Sequence, residues 1–170
     1  MENLRKFIVR FIVGAASLGI ILFIIFHVIF TLGMINTNRP KSIRADIVSE
    51  CVTDLKNSNK NFTLKDLELY YQQGKIHANI YFENDLSLEE SKIVVKSLKE
   101  FLLKDNINEY FTENHNSLDI DAVIRSKDNS YYYECPYYLP TNDNSEVENN
   151  YKMWYLEKSS GEVIESINID

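Results

Sequence analysis

The chain has 170 residues, two cysteines, and 18 Lys and Arg against 25 Asp and Glu, a net charge of −7. Met1–Ile35 takes three of the basic residues and one acidic residue, so Asn36–Asp170 keeps 15 basic against 24 acidic, a net of −9. That balance argues against nucleic-acid binding, which needs clustered Lys and Arg to displace counterions from phosphates.

Phe11 to Ile35 is a run of 25 residues without Asp, Glu, Lys or Arg. As a helix it would reach about 37 Å, against the ~30 Å hydrocarbon core of a bilayer. It lacks the polar stripe of a helix packed on a soluble core. A cleaved signal peptide has an apolar region of about 7–15 residues ending in small residues, and Thr31–Ile35 offers no such end. The expectation is a retained transmembrane helix meeting the lipid bilayer through residues 11–35, with 1–10 as a short cytoplasmic tail. Arg5, Lys6 and Arg10 precede the run and Arg39, Lys41 and Arg44 follow it, so the positive-inside count nearly balances. The short leading tail favours a cytoplasmic N-terminus and an extracytoplasmic domain. Gly14, Ala15, Ala16, Ser17 and Gly19 form a small-residue patch of the kind that lets helices approach. His27 lies inside the run without a carboxylate to form a relay.

Residues 36–41 read as a polar linker, with Pro40 disfavouring a helix through Arg39. The domain then occupies 42–170. Ile43, Ile47, Val48, Cys51, Val52 and Leu55 recur at helical spacing, which predicts a helix over 43–56 with Ser42 as its N-cap. Leu67, Leu69 and Tyr71 alternate, as do Ile76, Ala78, Ile80 and Phe82. Two strands joined through Gln72–Lys75 are expected, with Gly74 supplying positive φ. Ser87 followed by Glu90 is a capping box opening a second helix, whose apolar face is Ile93, Val94, Leu98, Phe101 and Leu102. Asp105–Asn116 reads as irregular.

Four more strands follow. Leu118, Ile120, Ala122 and Ile124 alternate, the chain turns at 126–130, and Tyr131–Tyr138 returns, with Pro136 marking an edge or an end. Thr141–Asn150 is polar and acidic and reads as an exposed loop. A last hairpin pairs Tyr151–Glu157 with Glu162–Ile169. The fold class expected is α+β: two helices on a mainly antiparallel sheet, in the order α-ββ-α-ββββ after the membrane helix.

Little in this chain spells catalysis. Cys51 and Cys135 are too far apart in sequence for a CxxC pair or a zinc knuckle. They either form a disulfide outside the cytoplasm or remain free thiols in the core. His77 and His115 have no ligand partner at helical spacing, so neither a metal nor another cofactor is expected. His77 is expected on the solvent side of its strand and His115 in a loop. Beyond the apolar run only Gly74 and Gly161 remain, too few for a phosphate-cradling loop. Asp119 and Asp121 read as the exposed side of an amphipathic strand.

The distinctive soluble feature is aromatic. Tyr131, Tyr132, Tyr133, Tyr137 and Tyr138 crowd one segment, and Tyr151, Trp154 and Tyr155 follow. Tyrosine suits strands and cross-strand pairs, yet both faces carry it, so some rings must be exposed. Exposed Tyr and Trp favour recognition, and Tyr132, Tyr137, Tyr138 and Trp154 are the candidate partner-binding residues. Richness in Asn, Ile, Lys and Tyr is the composition of an AT-rich bacterial genome. The functional expectation is a non-enzymatic, single-pass membrane protein binding other envelope proteins as an assembly, secretion or immunity-type accessory. The alternative is a tethered ligand-binding or sensing module acting through a membrane partner.

Overall fold

The computed structural model describes residues 17–33, 39–115, 118–140 and 146–169. The expected tail, both ends of the apolar run (11–16 and 34–35) and residues 36–38 of the linker lie outside these residues. So do Gly14, Ala15 and Ala16. The chain divides into two compact units, Met1–Arg39 and Pro40–Asp170.

In the first unit, residues 17–33 form a helix, α1. It carries large apolar side chains on all sides, from Leu18 to Leu32, and all of them are exposed. His27 stacks on Phe23, one turn earlier, with ring centroids 6.2 Å apart.

The second unit is α+β and built around one sheet. Its elements are β1 (Lys41–Ser42), α2 (Ala45–Ser58), β2 (Leu64–Gln72), β3 (Lys75–Phe82), α3 (Leu88–Leu102) and α4 (Asp105–Asn114). Then come β4 (Ile120–Arg125), β5 (Ser130–Cys135), β6 (Tyr138–Pro140), β7 (Glu146–Glu148), β8 (Met153–Glu157) and β9 (Val163–Asn168). The sheet has seven strands in the order β1-β2-β3-β4-β5-β8-β9, and β6 and β7 pair separately. Every described pairing is antiparallel except β3 with β4.

The sheet is mainly antiparallel, as expected, but β1, α4 and the short strands β6 and β7 add to the expected order, and the parallel pair was not foreseen. Parallel neighbours need a crossover long enough to carry the chain back along the sheet, and here α3 and α4 supply it. α4 is the helix missed in the stretch read as irregular. Its Ile107 and Phe111 are buried one turn apart, and a helix of ten residues depends on such packing more than on propensity. Lys104 begins it and donates to Glu50 at 2.8 Å and to Asp54 at 2.6 Å, tying the α3–α4 junction to α2.

Other expectations shift by a few residues. Ser42 is not an N-cap: it pairs with Tyr70 in β1, and α2 starts at Ala45 after Arg44, which makes no capping hydrogen bond. Ile93 is half exposed, and Val95 takes its place in the core. The end of the expected 141–150 loop is instead strand β7 followed by buried Asn149, while 141–145 lies outside the described residues. The capping box at α3 is present in full, with Glu90 N donating to Ser87 Oγ and Ser87 N donating to Glu90 Oε2. Gln73 and Gly74 both take positive φ, 53° and 83°, as a two-residue hairpin turn requires.

One continuous core joins the buried faces of α2, α3 and α4 to one side of the sheet. Ile47, Cys51 and Leu55 come from α2, Val94, Leu98 and Phe101 from α3, and Ile107 and Phe111 from α4. They meet Leu67, Leu69, Ile76, Ala78, Ile80, Ile120, Ala122, Ile124, Tyr133 and Trp154. Because strand side chains alternate, the residues between these point to the opposite face, which no described helix of the second unit covers.

Candidate functional site: the open face of the sheet

Register arranges the open face in rows. One row runs Ser42, Tyr70, His77, Asp121, Glu134, Tyr155 and Ser166, a residue from each strand in turn. The next runs Glu68, Asn79, Val123, Tyr132 and Glu157. Directly opposed side chains on neighbouring strands lie within about 4.5–5.5 Å at Cβ, so both rows are contiguous lines of contact.

Two networks occupy this face. At one end Arg125 lies over the Tyr81 ring, 5.3 Å from its centroid, and donates to its hydroxyl at 3.0 Å. Tyr81 in turn donates to Glu68 Oε2 at 3.3 Å, as does Asn79 at 3.1 Å. The Tyr81 hydroxyl there bridges the Arg125 guanidinium and the Glu68 carboxylate. At the other end Lys75 donates to Asp121 at 3.0 Å and also to Glu134. Burial of Lys75 disfavours its charge, but the hydrogen bonds to Glu134 and Asp121 outweigh it and raise its pKa.

Glu157 on β8 is the third carboxyl of this end. It stands beside Glu134, the residue diagonal to it on β5. Burial first, and then its hydrogen bond to Glu134 and the charges of Glu134 and Asp121, push its pKa up. Glu134 moves the other way, because the Lys75 hydrogen bond holds it down. Two neighbouring carboxyls whose affinities are driven apart lose their protons in two separate steps. His77 completes the group. Its ring stacks on Tyr70 at 5.1 Å, Nε2 lies 3.1 Å from the Gln72 carbonyl, and Nδ1 lies 3.8 Å from Asp121. These side chains, with Tyr132, line a shallow pocket of about 250 Å³.

His77 is thus on the expected face but half-buried in a cluster, not free in solvent. His115 ends α4 as its C-cap and stacks on Tyr71 at 4.0 Å. Desolvation, and then nearby Lys41, hold its pKa below 6.5. Asp121 belongs to the Lys75 cluster, whereas Asp119 precedes β4 and accepts from Tyr137 N at 2.8 Å.

The four aromatic candidates separate. Tyr132 stands half-buried on the open face, and Tyr138 on β6 is exposed. Trp154 is wholly buried and donates to the Tyr151 carbonyl at 2.7 Å. Tyr137 is buried against Tyr151, with centroids 5.6 Å apart. These two are core residues and correct the partner-binding expectation, because the break at Pro136 turns Tyr137 inward and the β8 register places Trp154 on the helix side. Tyr70 and Tyr155 share the open face and were not singled out. Pairing between distant strands put them there, and each strand read alone gives no sign of it.

Cys51 and Cys135 are both free and wholly buried, on α2 and at the end of β5. Burial drives both thiols far above their ordinary pKa, which makes them poor nucleophiles. Cys135 Sγ donates to the Met153 carbonyl at 3.2 Å. Among the described residues no group of three His, Cys, Asp or Glu side chains is placed to hold a metal ion. In comparisons with protein families, curated proteins and solved structures, nothing matches the chain.

Proposed function

We propose that this is a non-enzymatic, single-pass membrane protein. Its acidic domain stands outside the cytoplasm and binds other envelope proteins through the open face of its sheet. The carrying observation is α1. Twelve large apolar side chains from Leu18 to Leu32 are exposed around its whole circumference, and water would penalise them by about 25 cal/mol per Å². A bilayer removes that penalty. Among the described residues no helix is long and apolar enough to cross a membrane. α1 has 17 residues, 17–33, while the apolar run in the sequence extends from Phe11 to Ile35.

The binding half of the proposal draws on Tyr70, Tyr132 and Tyr155, on a sheet face that no described helix of their unit covers. Rigid aromatic rings on a flat, preformed surface provide contact area at low entropic cost. Alkaline carbonate extraction followed by protease shaving of intact cells tests the proposal. The full chain should stay in the membrane pellet, with residues 42–170 cut from outside. Release by carbonate would remove the anchor, and protection of the domain would reverse the orientation.

A further inference from the structure

The open face has a chemical bias that narrows what it can bind. Its pocket is walled by Tyr70 and Tyr132 and lined by Asp121, Glu134 and Glu157 against one lysine, Lys75. Lys75 is already engaged by Asp121 and Glu134. Among the described residues Glu157 has no ion-pair partner: Lys158, next in sequence, pairs with Glu162 at 2.7 Å. The Arg125 end of the same face shows the contrast, since its carboxylate, hydroxyl and guanidinium satisfy one another.

We propose that this pocket receives a lysine or arginine side chain of a protein partner, an inference that rests on reading the open face as a docking surface. An incoming ammonium or guanidinium supplies the cation that Glu157 lacks and adds to the lysine that Glu134 shares with Asp121. It offers the two carboxyls a charge-assisted hydrogen bond. Tyr132, opposite Glu157 in register, offers a ring face for cation–π contact, which Arg uses most often. An anion would meet three carboxyls. A free small amine would bury too little of itself, because ligand pockets enclose most of a small molecule and this one is shallow. A side chain carried on a partner's surface needs only its tip enclosed, and the rest of the flat face provides area around it.

The test is a titration of the full chain, in detergent micelles at low salt, with a hexa-arginine peptide followed by calorimetry. The double variant Glu134→Gln/Glu157→Gln keeps side-chain size and should weaken binding about tenfold, a magnitude ordinary for a lost charge pair. The control Glu109→Gln/Glu113→Gln removes two charges from α4 and should change binding less than about twofold. Asp121→Asn provides a second pocket variant and should weaken binding as well. Equal weakening by pocket and control variants would overturn the inference, because attraction would then be diffuse. So would binding unchanged in the pocket variants.

A photo-cross-linking residue at Tyr132, with the partner peptide mapped by mass spectrometry, separates the two levels of the argument. A Lys or Arg at the attachment site supports the inference. A site on an acidic or apolar segment overturns it while leaving the face as a docking surface. Cross-linking no greater than from the same residue placed at Glu113 removes the docking reading and the inference with it.

Discussion

Asn149, between β7 and β8, has every polar atom of its amide engaged. Nδ2 donates to the carbonyls of Pro136 and Met153, each at 2.8 Å, and reaches Cys135 Sγ at 3.2 Å. Oδ1 accepts from Met153 N at 2.6 Å. The side chain stands in for a strand partner where Asn150 and Tyr151 adopt positive φ, 49° and 53°. Replacing it with Ala would take away the partner of the part-buried Pro136 carbonyl and Met153 N. Asn149→Ala should therefore lose about 2–3 kcal/mol in urea unfolding. Glu157 behaves in the opposite sense. Its folded pKa lies above the ordinary 4.5, so its contribution is present in acid and fades as pH rises through the folded value. Glu157→Gln keeps a partner for Glu134 and removes the repulsion. At neutral pH it should stabilise by about 0.2–0.5 kcal/mol, screening included. The gain should vanish below pH 4.5, as thermal melts across pH would show.

Among the elements, those with local signals were legible and those made by pairing were not. Ser87 and Glu90 announce α3 because a capping box is a contact within four residues. Ser87→Ala should cost about 1 kcal/mol of unfolding free energy, with Ser87→Asp recovering most of it. The β2–β3 turn is equally local. Gln73 pays for a positive φ that Asn accepts more easily, so Gln73→Asn should gain about 0.5 kcal/mol by the same measurement. β1 and α4 were missed for a shared reason. Two residues of β1 hold their form by pairing with Tyr70 and Tyr71. α4 has no side-chain cap and is fastened through Lys104, Ile107 and Phe111 to other parts of the fold. No window of sequence contains those partners. The i, i+4 spacing of Ile107 and Phe111 was the one local clue to α4.

At the scale of the whole molecule, the division after Arg39 separates a helix whose large apolar side chains are exposed from a domain with its own hydrophobic core. A chain beginning at Pro40 should consequently fold alone, remain in solution and unfold in one cooperative transition by calorimetry. Aggregation or gradual melting would show that the core needs the first unit.

What the sequence determined alone was whatever depends on near neighbours: the apolar run, the acidic surface, the strand alternation of Ile76–Phe82 and Ile120–Ile124, and the α+β class. The tertiary structure alone decided the parallel β3–β4 crossover and the inward turn of Tyr137 and Trp154. It also decided the meeting of Lys75, His77, Asp121, Glu134 and Glu157 on one open face. These residues come from four strands, and a period of two tells which residues of a strand share a face. Which strand lies beside which, and in what register, is set by packing the whole core at once.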